Sequence, residues 1–148
     1  MGGKWIRRIT LGAAAMAVAS LAGVAPAAWA QTSVTSFSVT MNHFTPATTS
    51  TYTLGFRTSA TGALVGGTGT ITIDDGAGAL PTSAADYSIG ATGHSGQPSN
   101  VSTSGTSVTL TVPVVSGLNI GNSTIVSVTI NPVTTPAAAN YTMAVSTS

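Results

Sequence analysis

The fold of this chain is decided by residues 107–115, which read SVTLTVPVV. From Ser107 to Val114 apolar side chains alternate with polar ones or Pro; the alternating apolar residues are Val108, Leu110, Val112 and Val114. Successive side chains of a strand point to opposite faces, so the alternation predicts a strand with one buried face. Because Pro113 has no backbone donor, we expect that end of the strand at a sheet edge or a bulge.

The same two-residue period recurs on both sides of this stretch. The predicted strands cover residues 34–41, 51–59, 70–74, 86–91, 101–104, 107–115, 123–130 and 140–147. Clusters of Gly, Pro, Asn and Ser separate them; Gly105-Thr106 predicts a tight hairpin, and Asn131-Pro132 should end the seventh strand. Strands with one buried face favour antiparallel pairing. The sequence therefore predicts an all-β, two-sheet antiparallel sandwich of seven to eight strands, with a closed barrel as the alternative.

The connections also supply apolar residues to the predicted core. In the Gly-rich stretch 61–69 we expect Leu64 and Val65 to be buried, and in the loop 116–122 we expect Leu118 and Ile120 to act as plugs. Six aromatic residues could supply the bulk of the core, namely Phe37, Phe44, Tyr52, Phe56, Tyr87 and Tyr141.

Residues 1–30 differ in composition from the rest of the chain. Lys4, Arg7 and Arg8 precede an apolar run over residues 9–25, and the small residues of Ala28-Trp29-Ala30 follow. This order is typical of a secretory signal peptide, with a helical apolar segment and cleavage after Ala30. A membrane anchor is the alternative, although about 17 apolar residues is the lower limit for a span. We therefore expect one exported domain over residues 31–148, extracellular or associated with the cell surface, with no membrane contact after cleavage.

The composition narrows the range of functions. Charged residues make up 5 % of the chain and Cys is absent, whereas a typical soluble domain has about 25 % charged residues. Beyond residue 30, Arg57 stands against three Asp, a formal net charge of −2. One cation cannot neutralise a nucleic-acid backbone, so no nucleic-acid partner is expected. We predict a protein that is not an enzyme, with no catalytic residue and no cofactor.

Two sequence patterns approach catalytic motifs without matching them. Gly93-His94-Ser95-Gly96-Gln97 is similar to a nucleophile elbow, but its second glycine comes one position early and no helix follows. His43 and His94 with an Asp could form a triad or a metal site only if their loops come together. The glycines of residues 66–69 are interpreted as a bulge or loop, since the Lys and helix of a phosphate loop are missing.

The three acidic residues give the metal candidate of this sequence. Asp74 and Asp75, followed by Gly76, could share a weak calcium site with Asp86. An EF-hand also requires a terminal Glu, and this chain contains none. Asp and Gly are equally the usual residues of a plain turn, which is the alternative.

Several stretches together resemble bacterial extracellular immunoglobulin-like modules of surface and adhesin-type proteins. The stretches that carry the resemblance are residues 51–58, 62–64, 70–73, 107–113, 120–121, 126–132 and 140–142. The resemblance implies an immunoglobulin-like sandwich. Because the strands are rich in hydroxyl groups and the chain has few ionisable groups, we expect a non-enzymatic structural or protein-interaction role, with an extracellular protein or an envelope component as partner. The resemblance assigns no catalytic or binding residues.

Two other functions stay open on the sequence. Low charge leaves sheet edges without the Lys and Glu that normally block edge pairing, so residues 31–41 could complete a neighbouring copy and build a homo-oligomer or fibre. An ordinary first strand is the simpler interpretation of that segment. The other alternative is a secreted enzyme inhibitor that presents the loop at residues 43–50 or 93–100, or a weak hydrolase, which would need His43, His94 and one Asp in a common pocket.

Overall fold

The structure, a computed structural model, describes residues 32–43, 45–136 and 142–148. The predicted signal peptide, together with Phe44 and Tyr141, lies outside the described residues. Within them the chain forms β-strands joined by turns, with one 3-10 turn at Ala84–Asp86.

Ten strands are present in the described residues. In chain order they are β1 (Thr32–Ser33), β2 (Thr35–Met41), β3 (Thr49–Arg57), β4 (Thr70–Asp74), β5 (Tyr87–Ala91), β6 (His94–Gly96), β7 (Asn100–Ser104), β8 (Ser107–Thr111), β9 (Ile125–Thr134) and β10 (Ala144–Thr147). The count exceeds the predicted seven to eight for two reasons. The two-residue β1 precedes the first predicted strand, which begins at Val34, and the short β6 lies within a predicted loop.

The strands form two antiparallel sheets. The first sheet has the order β1-β10-β4-β8-β7, and the second has the order β2-β3-β9-β5-β6. The predicted all-β, two-sheet antiparallel architecture is thus confirmed. Val34 separates β1 from β2, so this part of the chain supplies an edge strand to each sheet: β1 to the first and β2 to the second.

One hydrophobic core contains inward side chains from both sheets. Its fully enclosed members include Leu54, Phe56, Ile71, Ile73, Ile89, Leu110, Val126, Val128 and Ile130. Each alternates with Ser, Thr, Gly, Asp, Arg or another outward residue along its strand, as the two-residue period predicts. Leu64 and Ile120 are also buried and form an isolated β-bridge, which confirms them as apolar plugs supplied by the connections.

The strand in the decisive stretch ends earlier than the period predicts. The strand β8 ends at Thr111, and the Val112 amide donates to the Gly69 carbonyl at 2.9 Å. Val114 is 80 % exposed, so its predicted inward orientation is wrong. The prediction for Val65 is wrong as well: this side chain is 66 % exposed. Val65 lies in a tight turn, in which its carbonyl accepts the Gly69 amide.

The strand β9 extends further than expected. It continues through Asn131-Pro132 to Thr134, so the prediction that this dipeptide ends the strand is wrong. The register with β3 shifts between Ser50 and Tyr52, so two residues of β9 oppose one residue of β3. Such a bulge accommodates a residue that has no ladder donor, which is why Pro132 is tolerated inside the strand.

Candidate interaction surfaces

The outward face of the first sheet carries a row of hydroxyl groups. Neighbouring strands place five Ser and Thr side by side; this first-sheet hydroxyl row consists of Ser33, Ser146, Thr72, Thr109 and Ser102. The Oγ1 atoms of Thr72 and Thr109 are 3.0 Å apart and share a hydrogen bond. The row crosses all five strands without a charged side chain.

The second sheet has an equivalent surface. Its second-sheet hydroxyl row consists of Thr40, Thr53, Thr129 and Ser88, on four adjacent strands. Arg57 lies at the end of β3, where its Nη1 donates to the Ser123 carbonyl at 2.7 Å. The guanidinium therefore sits at the rim, and the middle of this face is also neutral and hydroxyl-bearing.

Three of the four sheet edges in the described chain carry features that hinder pairing with another strand. The edge strand β1 is two residues long, and β6 is three residues long. A Cβ added at Gly96 of β6 would lie 2.6 Å from Cγ2 of Val115, so residues 113–115 pack tightly against this strand. At the β2 edge the register shifts between Thr35 and Ser38, and Ser36 has a φ of 54°. Short length, close coverage and bulges are recognised protections of sheet edges.

The fourth edge, β7, lacks these protections. Asn100, Ser102, Thr103 and Ser104 are all exposed, and the pairing with β8 is unbroken from one end of the strand to the other. The strand contains neither Pro nor a charged residue. Its hairpin turn is Gly105-Thr106, with Gly105 at a φ of 60°, which confirms the predicted tight turn.

The calcium candidate is built differently from a metal site. The Asp75 side chain is fully buried, and its Oδ1 accepts the amides of Ala77 at 3.1 Å and Gly78 at 2.6 Å. Its Oδ2 accepts the Ala79 amide at 2.6 Å. Both carboxylate oxygens are therefore occupied by the backbone of the turn that follows.

The neighbouring Asp74 ties this turn to the β7–β8 hairpin. Its Oδ1 accepts the Gly76 amide at 2.9 Å and the Thr106 hydroxyl at 2.8 Å. These hydrogen bonds, the first of them foremost, lower the pKa of Asp74 below its ordinary value of 3.8, with partial burial acting in the opposite direction. The Asp75 amide also donates to the Thr106 carbonyl at 3.3 Å.

Asp86 does not belong to the turn of Asp74 and Asp75; it lies at the end of the 3-10 turn that precedes β5. The buried hydroxyl of the next residue, Tyr87, donates to the Pro81 carbonyl at 2.5 Å. Burial raises the pKa of Tyr87, and the charges of Asp86 and Asp75 add to this effect. Within the described residues, no three His, Cys, Asp or Glu side chains form a group suited to a metal ion, so the three Asp do not come together as one site.

The two histidines lie on opposite edges of the second sheet. His43 follows β2 and His94 opens β6, with β3, β9 and β5 between them. Four strand spacings separate these edges by about 19 Å, whereas catalytic hydrogen bonding requires about 3 Å. The His94 ring instead lies against Gly117, where an added Cβ would approach its Cε1 to 2.6 Å. The structure thus does not bring the two imidazoles together.

The remaining motif candidates are parts of strands and turns. His94–Gly96 is the strand β6, so Ser95 does not occupy the strand-to-helix turn of a nucleophile elbow. In the Gly-rich stretch, the Gly67 amide donates to the Val112 carbonyl at 2.7 Å and closes a turn over the end of β8.

Comparison with known proteins gives no relative for this chain: no protein-family model, curated protein or solved structure matches it. In the described residues, no helix has the length and apolar character needed to cross a membrane.

Proposed function

We propose that residues 31–148 are a secreted, non-enzymatic immunoglobulin-like module with a structural or protein-interaction role outside the cell. The observation that carries this proposal is the pair of hydroxyl rows, one on the outward face of each sheet. Hydroxyl groups donate and accept hydrogen bonds without titrating near neutral pH. A surface of this kind keeps its hydration and its contacts when extracellular pH or salt changes.

The immunoglobulin-like assignment is one of architecture rather than strand order. Two antiparallel sheets around one core support it, and such sandwiches share this layering without always sharing connections. In a constant-type domain the last two strands are neighbours in one sheet. Here β9 and β10 belong to different sheets, so the strand connections of this chain differ from those of a constant-type domain.

The partner we propose is an extracellular protein or a component of the cell envelope, reached through neutral hydrogen bonding. The exposed backbone edge of β7 supports this role, because an added strand gains main-chain hydrogen bonds at such an edge. A neutral edge would bind with little dependence on ionic strength, since salt screens charges and not hydrogen bonds between neutral groups.

Export and processing test this proposal. The full chain with a C-terminal tag is produced in an export-competent bacterial host, and medium, envelope and cytosol are separated. We expect the protein in the medium or envelope, with its N-terminus at Gln31 by intact mass. The matched variant Ala30→Asp should retain the leader, since signal peptidase requires a small residue there. Recovery of the wild-type chain in the cytosol with residues 1–30 attached would contradict the proposal.

A second candidate function is self-assembly by exchange of residues 31–41. The structure favours it through one feature: this segment supplies edge strands to both sheets, and its Phe37, Val39 and Met41 are only half-buried against the core. The same segment of another copy could occupy that position. If so, a synthetic peptide of residues 31–41 should stop assembly measured by light scattering, and a scrambled peptide should not. Equal effects of both peptides would contradict strand exchange.

A further inference from the structure

We propose that β7 is a dimerisation edge, at which two copies of this chain pair β7 against β7 in antiparallel orientation about a two-fold axis. The two first sheets then become one continuous sheet of ten strands. This inference rests on the proposed interaction role and names its partner as a second copy.

The comparison of the four edges selects this strand. The protections at β1, β2 and β6 are brevity, a bulge and close packing of residues 113–115. The strand β7 has five residues in unbroken register and four exposed side chains, with no protection of these kinds. Proteins that remain monomeric normally blunt such an edge with Lys, Pro or a bulge.

The hairpin fixes which backbone groups of β7 face outward. A two-residue turn at Gly105-Thr106 makes Ser104 and Ser107 a hydrogen-bonded pair. Antiparallel pairs alternate between hydrogen-bonded and non-hydrogen-bonded, so Ser102 pairs through hydrogen bonds with β8 while Val101 and Thr103 do not. The amides and carbonyls of Val101 and Thr103 therefore point away from β8, towards the open edge.

These outward groups are complementary to themselves. When two β7 strands run antiparallel with Ser102 on the axis, Val101 of each copy faces Thr103 of the other. Each of these two pairs exchanges two hydrogen bonds, which gives four in total. The contact uses the same patch on both copies, so it closes as a dimer and does not propagate.

The side chains allow this approach. The two Ser102 hydroxyls would stand opposite one another, about 5 Å apart at Cβ, and would join the two first-sheet hydroxyl rows end to end. No ionised group lies on either strand, so pairing buries no unpaired charge. The alternative occupant of the β7 edge is a strand of an unrelated protein. In that case the isolated protein would be a monomer.

Sedimentation velocity over a concentration series tests the proposal on the exported wild-type protein and two charge variants. We expect a reversible monomer–dimer equilibrium for the wild type. Ser102→Lys places two like charges opposite each other on the axis, and should weaken the dimer by about tenfold or more. Thr40→Lys puts the same charge on the outward face of the bulged edge β2, and should leave the dimer unchanged.

Amide exchange provides a second readout that does not depend on a variant. The Ser102 amide should be protected at all concentrations because it pairs with β8. Protection of the Val101 and Thr103 amides should appear only as the dimer forms.

Three outcomes would overturn the proposal: a wild-type monomer at every concentration, a dimer that survives Ser102→Lys, or a dimer lost with Thr40→Lys. The last would assign assembly to the β2 edge and residues 31–41. A correctly processed, exported monomer refutes the dimer alone, whereas failure of export refutes the proposed function regardless of oligomeric state.

Discussion

Among single residues, Asp75 shows how a neutral surface and a buried charge coexist in this chain. Its carboxylate is fully buried and accepts the three amides of residues 77–79 at 2.6–3.1 Å. Hydrogen bonds from backbone amides to a carboxylate are stronger than neutral ones, which compensates part of the cost of removing the charge from water. The residue therefore holds the turn after β4 and leaves no oxygen unoccupied for an outside ligand.

Replacing Asp75 tests this structural role. Asp75→Asn keeps the shape but turns one acceptor into a donor, so a buried amide loses its partner. We expect the free energy of unfolding in urea to fall by about 2–3 kcal/mol. Asp86→Asn is the control, because that side chain is partly exposed and bridges no such turn; its effect should stay within about 0.5 kcal/mol. Equal losses in the two variants would show that Asp75 has no special role.

The lowered pKa of Asp74 gives a pH dependence with a definite sign. A carboxyl whose folded pKa lies below 3.8 contributes stability that is present above about pH 4 and is lost as pH falls through the folded pKa. We compare wild type with Asp74→Asn by urea unfolding at about pH 6 and about pH 3. The stability gap between them should shrink in acid. Thr106→Val removes one of the donors to Asp74, so it should reduce the part of the unfolding free energy that is lost in acid. If the difference in stability between wild type and Asp74→Asn did not change with pH, this account would be contradicted.

At the level of strands, the sequence predicts the existence of elements better than their ends. The strand β4 has its predicted bounds, and the alternation in β3, β8 and β9 places the correct side chains in the core. The errors come from partners distant in sequence. Beyond Thr111, Val112 bonds to Gly67 and Gly69 in the turn that precedes β4, and β9 passes Pro132 where its register with β3 shifts. Periodicity is a local property, whereas ladder ends and bulges depend on the strand alongside.

The candidate surface was only partly accessible to sequence reasoning. The low charge of possible edges is visible in the sequence, and it indicated edge pairing. The sequence favours residues 31–41 for this pairing, but the structure has a register shift between Thr35 and Ser38, and the unprotected edge is β7. Which strand lies at an edge is decided by sheet order, and no periodicity encodes that order. The signal that could have pointed to β7 was a hydroxyl-rich run, without Pro or charge, beside a Gly-led hairpin turn.

A proline pair tests the outward orientation of β7. Thr103→Pro removes an amide that faces the open edge, so the monomer should lose less than about 1 kcal/mol of unfolding free energy. Ser102→Pro removes an amide paired with β8, and should cost about 1–3 kcal/mol more. Urea unfolding at a concentration below dimerisation measures both. The reverse ranking would place the wrong residues on the open edge.

The close packing on β6 gives a matched pair of glycine substitutions. A Cβ at Gly96 would lie 2.6 Å from Val115 and 3.0 Å from Pro113, whereas a Cβ at Gly90 has its nearest neighbours at 3.6 Å. We expect Gly96→Ala to destabilise the fold by about 1–3 kcal/mol through overpacking, measured by thermal unfolding. Gly90→Ala, on the adjacent strand, should change it little. If Gly96→Ala proved neutral, the segment 113–115 would not be held against β6.

For the molecule as a whole, one core joins two sheets, so both sheets should unfold together. Leu110 is fully buried and Val114 is 80 % exposed, although the sequence predicts both to face inward. Leu110→Ala should lower the unfolding free energy by about 2–5 kcal/mol, and Val114→Ala should have almost no effect. Amide exchange of the Leu110→Ala variant should show the same loss of unfolding free energy in β3, from the second sheet, as in β4, from the first. A loss confined to the first sheet would indicate two independently unfolding layers.

The pairing of β1 with β10 has a consequence for the order in which the molecule is completed. Thr32 and Thr147 are neighbours across this ladder, although most of the chain separates them in sequence, and β10 also covers the edge of β4. While a ribosome still holds residues 144–147 in its tunnel, β4 has no partner on that side and the first sheet cannot close. The first sheet is therefore completed only after β10 has been synthesised, because the β1–β10 pairing joins the strands that are furthest apart in the described sequence.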